Sequence, residues 1–300
     1  MIRGVKGYMR IFQLRYVRVV MGIALCLVVF APSATHAATD DESMTVSPIS
    51  RHYQFDAGQA TQDELTVINN GSVGYDVIVY ARPYSVTSDS YEPNFVNTPH
   101  NADAYQWVQF ATTKYHIDAG QTVHVPYTLH VPATSAPGGH YGVVFVETQP
   151  SDSGSVVRRK RVGMVIYATV KGQYSTHGEA AGSTIPFWQF SPPLTAAVST
   201  KNTGNSDFDD TATYTVKNVL GKVIYSGSNT YTVLPGTTRK ISLGWSSAPW
   251  FGIYSVEVQH SFLGQSPVAK GYVLMVPRWL YVVIALVIIG AAVYAIRRRR

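Results

Sequence analysis

Cysteine is almost missing from this 300-residue chain, and the one present, Cys26, sits in an apolar run near the N-terminus. Once that run is cleaved off, no disulfide, thiolate nucleophile or cysteine metal site remains, so packing alone must stabilise the mature protein. An exported protein of a disulfide-rich secretory system would use cysteines, and their absence tilts the reading toward a bacterial origin. Catalytic motifs are missing too. There is no G-x-S-x-G elbow, no H-E-x-x-H pair and no Gly-rich phosphate loop, so the common hydrolase, zinc-protease and nucleotide-binding chemistries lack their residues. The expectation is a protein that is not an enzyme and needs no cofactor or metal. Helical periodicity is also lacking everywhere between the two ends of the chain.

The ends themselves are apolar. Met1 to Arg18 carries five basic residues and no acid, and it runs into the apolar stretch Val19–Phe30. This is the n-region and h-region of a secretory signal, with small residues placing the cut between Ala37 and Ala38. At the other end, Trp279–Ile296 has no charge and would extend about 27 Å as a helix, enough to cross a hydrocarbon core. The tail Arg297, Arg298, Arg299 and Arg300 follows at once, and the positive-inside rule puts it in the cytoplasm. The expected location is a plasma membrane, single-pass, with an extracellular N-terminal ectodomain.

Placed along the chain, the charges reverse a first impression. The total is +6, yet five of the 24 basic residues lie in the signal and five in Arg278 and the tail. The remaining 14 face all 18 acids, so the ectodomain carries −4 and lacks the footprint of a nucleic-acid binder.

Within the ectodomain, short runs rich in Val, Thr, Tyr and Ile alternate with Gly, Pro, Asn and Asp clusters. That pattern is all-β. Three signals occur twice in the same order: a strand ending in a polar turn (Leu65 to Gly71; Ala197 to Gly204), a tight turn into a returning strand (Asp118 to Thr122; Leu234 to Thr238), and a Pro-led turn into a Tyr-bearing strand (Ala136 to Val143; Ala248 to Val256). Two tandem immunoglobulin-like β-sandwiches plus one C-terminal transmembrane helix account for this repetition. The expected layout is a signal peptide (1–37), an N-terminal extension (38–43), sandwich one (44–171), a linker (172–192), sandwich two (193–275), then the transmembrane helix with its short basic tail (276–300). An insertion, Tyr84 to Asp103, reads as a long loop that either binds or merely decorates the surface.

Few clusters suggest chemistry. His116, His124 and His130 could in principle ligate zinc, but solvent-facing histidines on a strand are the better reading. Asn205, Asp207, Asp209 and Asp210 resemble part of a calcium loop without its glycine and terminal glutamate. Arg158, Arg159, Lys160 and Arg161 form the densest charge run of the ectodomain. They would either grip an anionic wall polymer or partner, or guard a solvated hairpin tip.

The segment Pro137-Gly138-Gly139-His140-Tyr141-Gly142-Val143-Val144-Phe145, a polar loop, and Arg161 to Val170 resemble the Gly-Gly strand, loop and following strand of the WxL-interacting cell-surface proteins of Gram-positive bacteria. The order of signal, two sandwiches, span and basic tail is similar as well. The same Pro-Gly-Gly-x-Tyr strand also resembles that of looser bacterial sets of chaperone-like or NEW3-like sandwiches. The first resemblance implies a membrane-anchored surface protein that binds cell-wall polymer or a secreted surface protein. An accessory subunit of a membrane complex, assembled through its helix, is the alternative.

Overall fold

The computed structural model describes residues 43–87, 90–96, 99–149 and 159–299. The cleavage pair Ala37 and Ala38 lies outside the described residues, as do Arg158 and Arg300.

The first part of the chain is built from β1 (Met44–Ser47), β2 (Ser50–Phe55), β3 (Ala60–Asn69), β4 (Tyr75–Pro83), β5 (Ser85–Val86), β6 (Pro93–Asn94), β7 (Val108–Phe110), β8 (Lys114–Ile117), β9 (Thr122–His130), β10 (Gly138–Thr148) and β11 (Arg161–Val170). A short 3-10 helix, Ala104–Trp107, precedes β7. Among the described residues, one sheet runs β1-β3-β9-β7 and the other β2-β11-β10-β4-β8. Alternation decides which side chains meet between them: Leu65 and Val67 of β3, Val125, Tyr127 and Leu129 of β9, and Met164, Ile166 and Ala168 of β11 are buried in one core. Each such aliphatic burial contributes roughly 1.5–3 kcal/mol. His124 and His130 fall on the opposite, exposed face of β9.

The second part comprises β12 (Gly178–Thr184), β13 (Trp188–Gln189), β14 (Leu194–Asn202), β15 (Phe208–Lys217), β16 (Val223–Val233), β17 (Thr238–Trp245), β18 (Gly252–Ser261) and β19 (Val268–Met275). Among the described residues these form sheets β12-β14-β17 and β13-β19-β18-β15-β16. They enclose a separate core of Leu194, Val198, Tyr214, Val216, Val256, Val258 and Met275. The stretch 172–192, expected to be a linker, is therefore corrected: it supplies β12 and β13 to the two sheets. Of β12 only Gly178 is buried, so the strand carries none of the apolar alternation that marks its neighbours.

The repeated polar turns have a shared cause. Asn69 and Asn202 are fully buried at equivalent strand ends. Each side-chain oxygen accepts the N–H two residues on, at 2.8 Å from Gly71 and 2.9 Å from Gly204. Each amide nitrogen donates to loop carbonyls, Ile117 and Val73 in one case and Ser206 and Val233 in the other. A buried amide that satisfies several loop backbone groups holds three turns together at once.

After β19 the chain enters α1 (Arg278–Arg299). Its Arg278–Ile296 segment has mean hydropathy 2.5 and is long and apolar enough to cross a membrane by length and composition. The tail residues Arg297, Arg298 and Arg299 close this helix.

Candidate functional site

Two features stand out once the sheets are placed: the junction between the two pairs of sheets, and the free edge that borders it.

The junction is assembled from the Pro-Gly-Gly strand. Gly138 adopts φ +129°, and a Cβ there would stand 2.8 Å from the Asn205 carbonyl oxygen; its neighbour Gly139 donates its N–H to that same oxygen at 2.9 Å. Tyr141, almost fully buried, donates its hydroxyl to Asp207 at 2.9 Å, and the Asp207 N–H donates back to the phenol oxygen at 3.1 Å. The insertion closes the junction from the other side. Tyr91 places its hydroxyl 2.9 Å from Thr237 Oγ1 and 2.5 Å from the Leu234 N–H, which donates to it. Arg239 lies over the Tyr91 ring at 4.2 Å, and Leu234 packs with Tyr84, Tyr141 and Phe145. The insertion is thus a strap onto the second pair of sheets.

Burial pushes the Asp207 carboxyl above its ordinary 3.8, and the Tyr141 hydroxyl only partly offsets it. The folded protein therefore holds this proton better than the unfolded chain does. Its stabilising share is complete below 3.8 and is lost as pH rises through the raised value. Asp207→Asn, which keeps a neutral acceptor, is expected to match the wild type in acid and to gain on it as pH rises. Unfolding midpoints of both proteins across that range check this, and parallel curves would contradict it.

The second feature is β16. Among the described residues it pairs only with β15 and forms the outer margin of its sheet. Its eleven residues, VIYSGSNTYTV, contain no charge and no proline. Sheet edges are ordinarily protected by such residues, by bulges or by shortness. The other margins have these devices: β1, β7 and β8 have four residues or fewer, β2 contains Arg51, β12 is bulged at Ala180/Gly182, and β17 bears Arg239 and Lys240; in β16 the register shifts at its foot, skipping Ile224, which leaves Tyr225–Val233 as the unguarded stretch.

Antiparallel alternation fixes which groups of β16 face outward. The Thr232 carbonyl accepts the Arg239 guanidinium at 2.5 Å and the Leu234 N–H reaches Tyr91, so even-numbered residues present their backbone away from β15. Ser226, Ser228 and Thr230 therefore offer N–H and C=O groups to whatever lies alongside. The solvent face is a hydroxyl ladder, Thr211–Thr230 at 3.0 Å and Thr213–Ser228 at 3.1 Å, extended by Thr232 donating to Asp209 at 2.7 Å. On the inner face Tyr225 stacks on Trp245 at 5.4 Å, stiffening the strand from below.

The sequence-predicted residues fare differently. Arg159 ion-pairs with Glu147 at 3.6 Å, and the Arg161 guanidinium lies over Phe145 at 4.4 Å and Phe95 at 5.6 Å. The Lys160 backbone N–H donates to Thr148 Oγ1. Asp207, Asp209 and Asp210 diverge to the junction, to Thr232 and to a buried cluster with Thr200 and His260. Among the described residues no group of three His, Cys, Asp or Glu is placed to hold a metal ion. The β16 edge went unread in the sequence, although eleven residues without charge or proline between two turns were its available signal.

No family profile matches the chain, and no curated protein matches it. Solved structures do. A chain from the Salmonella enterica SafA pilin in complex with the SafB chaperone is 11% identical with TM-score 0.40, covering 79% of this chain and 98% of that one. The E. coli chaperone DraB is 11% identical with TM-score 0.39, covering 77% and 98%. The class 5 fimbriae chaperone CfaA is 13% identical with TM-score 0.38, covering 77% and 99%. The expected function, a membrane-anchored receptor for wall polymer or a secreted surface protein, is corrected here: the similar structures are described as a fimbriae chaperone, a chaperone and a pilin–chaperone complex.

Proposed function

We propose that this protein holds another polypeptide in extended form by strand addition along β16, as a non-enzymatic chaperone-like module of two tandem sandwiches. The unguarded edge carries the reading: three consecutive outward-facing residues, Ser226, Ser228 and Thr230, offer unpaired backbone donors and acceptors beside a rigid, charge-free strand. Main-chain pairing of this kind tolerates many sequences, which suits a protein that holds partners rather than reads them. Helix α1 is the membrane span among the described residues, with the sandwiches outside and Arg297–Arg299 inside.

Proline distinguishes edge pairing from side-chain contact. At an outward-facing position of an edge strand it removes the free N–H and leaves the ladder to β15 intact. A photo-crosslinking residue at Thr230 of the full chain in its membrane is expected to give polypeptide adducts. Ser228→Pro should reduce them about tenfold, the effect of one lost hydrogen bond plus a steric block, while the unfolding temperature stays within a few degrees. Adducts indifferent to the proline, or none from folded protein, would remove the reading.

A further inference from the structure

The end of the second sandwich that leads into α1 differs from the rest of its surface. Strand register brings four segments there. β14 starts at Leu194 opposite Trp245, β15 ends at Lys217 opposite Ser255, and β18 starts at Gly252 opposite Met275, three residues before the helix. The strap 185–190 is tied to the same place, since the Leu274 N–H donates to the Phe187 carbonyl at 2.6 Å and the Val276 N–H to the Gln189 carbonyl at 2.9 Å. The first sandwich meets the opposite end, around Asn205, Leu234 and Thr237.

These helix-side segments present Phe187, Trp188, Phe190, Leu220, Trp250 and Phe251 to solvent, with Leu220 87% and Phe251 65% exposed. A water-facing loop cluster of this composition is unusual, and patches of this kind mark interaction surfaces. The segments 185–193, 218–223, 246–253 and 276–279 contain no acid, and their cations are Lys222 and Arg278. The apolar surface also continues into the helix without a break: Arg278 lies over the Phe190 ring at 5.1 Å, and Phe190 meets Tyr281 edge-on at 6.3 Å.

We infer that this end of the second sandwich is seated in the headgroup layer of the bilayer that α1 crosses, with its aromatic loops in the interface and Lys222 and Arg278 against anionic lipid phosphates. Trp and Phe beside a span belong at that depth, and basic residues flanking them add attraction to anionic lipid. The seat rests on α1 being a membrane span. It turns the span from a tether into a mount that sets the direction of both sandwiches.

Three single-cysteine variants of the full chain, in a Cys26→Ser background, test this: Phe251→Cys in the loop cluster, Val287→Cys in mid-helix and Ala119→Cys in an exposed turn of the first sandwich. Each is labelled with an environment-sensitive fluorophore and reconstituted into phosphatidylcholine vesicles containing phosphatidylglycerol. The Phe251→Cys label is expected to be quenched by a nitroxide near the lipid headgroup and to resist aqueous iodide about threefold better than the Ala119→Cys label. The Val287→Cys label should respond to a deep-chain nitroxide. If that deep label is quenched while the Phe251→Cys label is as open to iodide as the Ala119→Cys label, the span stands and the seat is overturned. If the deep label is not quenched, the span itself fails and the seat falls with it.

Discussion

His260→Leu is expected to destabilise the second pair of sheets by about 3–5 kcal/mol, a typical cost of breaking a buried His–Asp pair by removing one partner. His260 and Asp210 are both buried, with His260 Nδ1 3.1 Å from Asp210 Oδ2 and 3.0 Å from Thr200 Oγ1. Thr200 donates its hydroxyl to the same carboxylate oxygen. The other oxygen, Asp210 Oδ1, has no hydrogen-bond partner among the described residues. Without the imidazole, Asp210 would keep only the Thr200 hydroxyl as its partner. Urea unfolding of the full chain in detergent measures the loss. The double variant His260→Leu with Asp210→Leu should recover much of it, because removing both partners strands neither. A single variant within about 1 kcal/mol of wild type would show that the pair matters little.

Gly139→Ala is expected to cost about 2–3 kcal/mol, a typical penalty for forcing one extra carbon into a packed site. Its new Cβ would fall 1.9 Å from the Tyr141 hydroxyl oxygen and 2.7 Å from the ring carbon bearing it, with the Ser206 backbone 3.3 Å beyond. Tyr141 would have to leave, and its exchange of hydrogen bonds with Asp207 would go with it. Global stability is one readout. The sharper one is amide exchange at Gly139 and Asp207, whose N–H groups cross the junction; both should exchange about tenfold faster or more once the junction opens locally. Protection at wild-type level in the variant would contradict this account of the glycine.

That glycine shows how far the sequence could be read. The Pro137-Gly138-Gly139 run was visible as a turn entering a strand, and the all-β character followed from alternation such as Leu65 with Val67 and Tyr214 with Val216, which is a local property. What the glycines face is not local. Their neighbours, Asn205 and Ser206, lie some 67 residues on, and no periodicity reports that distance. Tyr91 was unreadable for the same reason, since a loop residue declares its role as a strap only when Leu234 and Thr237 arrive beside it. Arg161 looked like part of a charge patch because sequence shows charge but not the two aromatic rings it covers. Strands β12 and β13 escaped because each buries a single residue, Gly178 and Gln189, neither of them apolar and bulky, so no alternation marks them and backbone pairing places them.

The direction of β16 gives its free edge a foot and a head. The strand climbs about 35 Å, at roughly 3.3 Å per residue, from Val223 on the helix side to Val233 at the junction. At its head the next outward-facing groups are already taken, the Thr232 carbonyl by Arg239 and the Leu234 N–H by Tyr91. Under the proposed strand addition, a guest chain would pair lower down and stop on reaching these two residues. On that reading the edge has a fixed stop, made of the same Tyr91 and Arg239 side chains that join the two pairs of sheets.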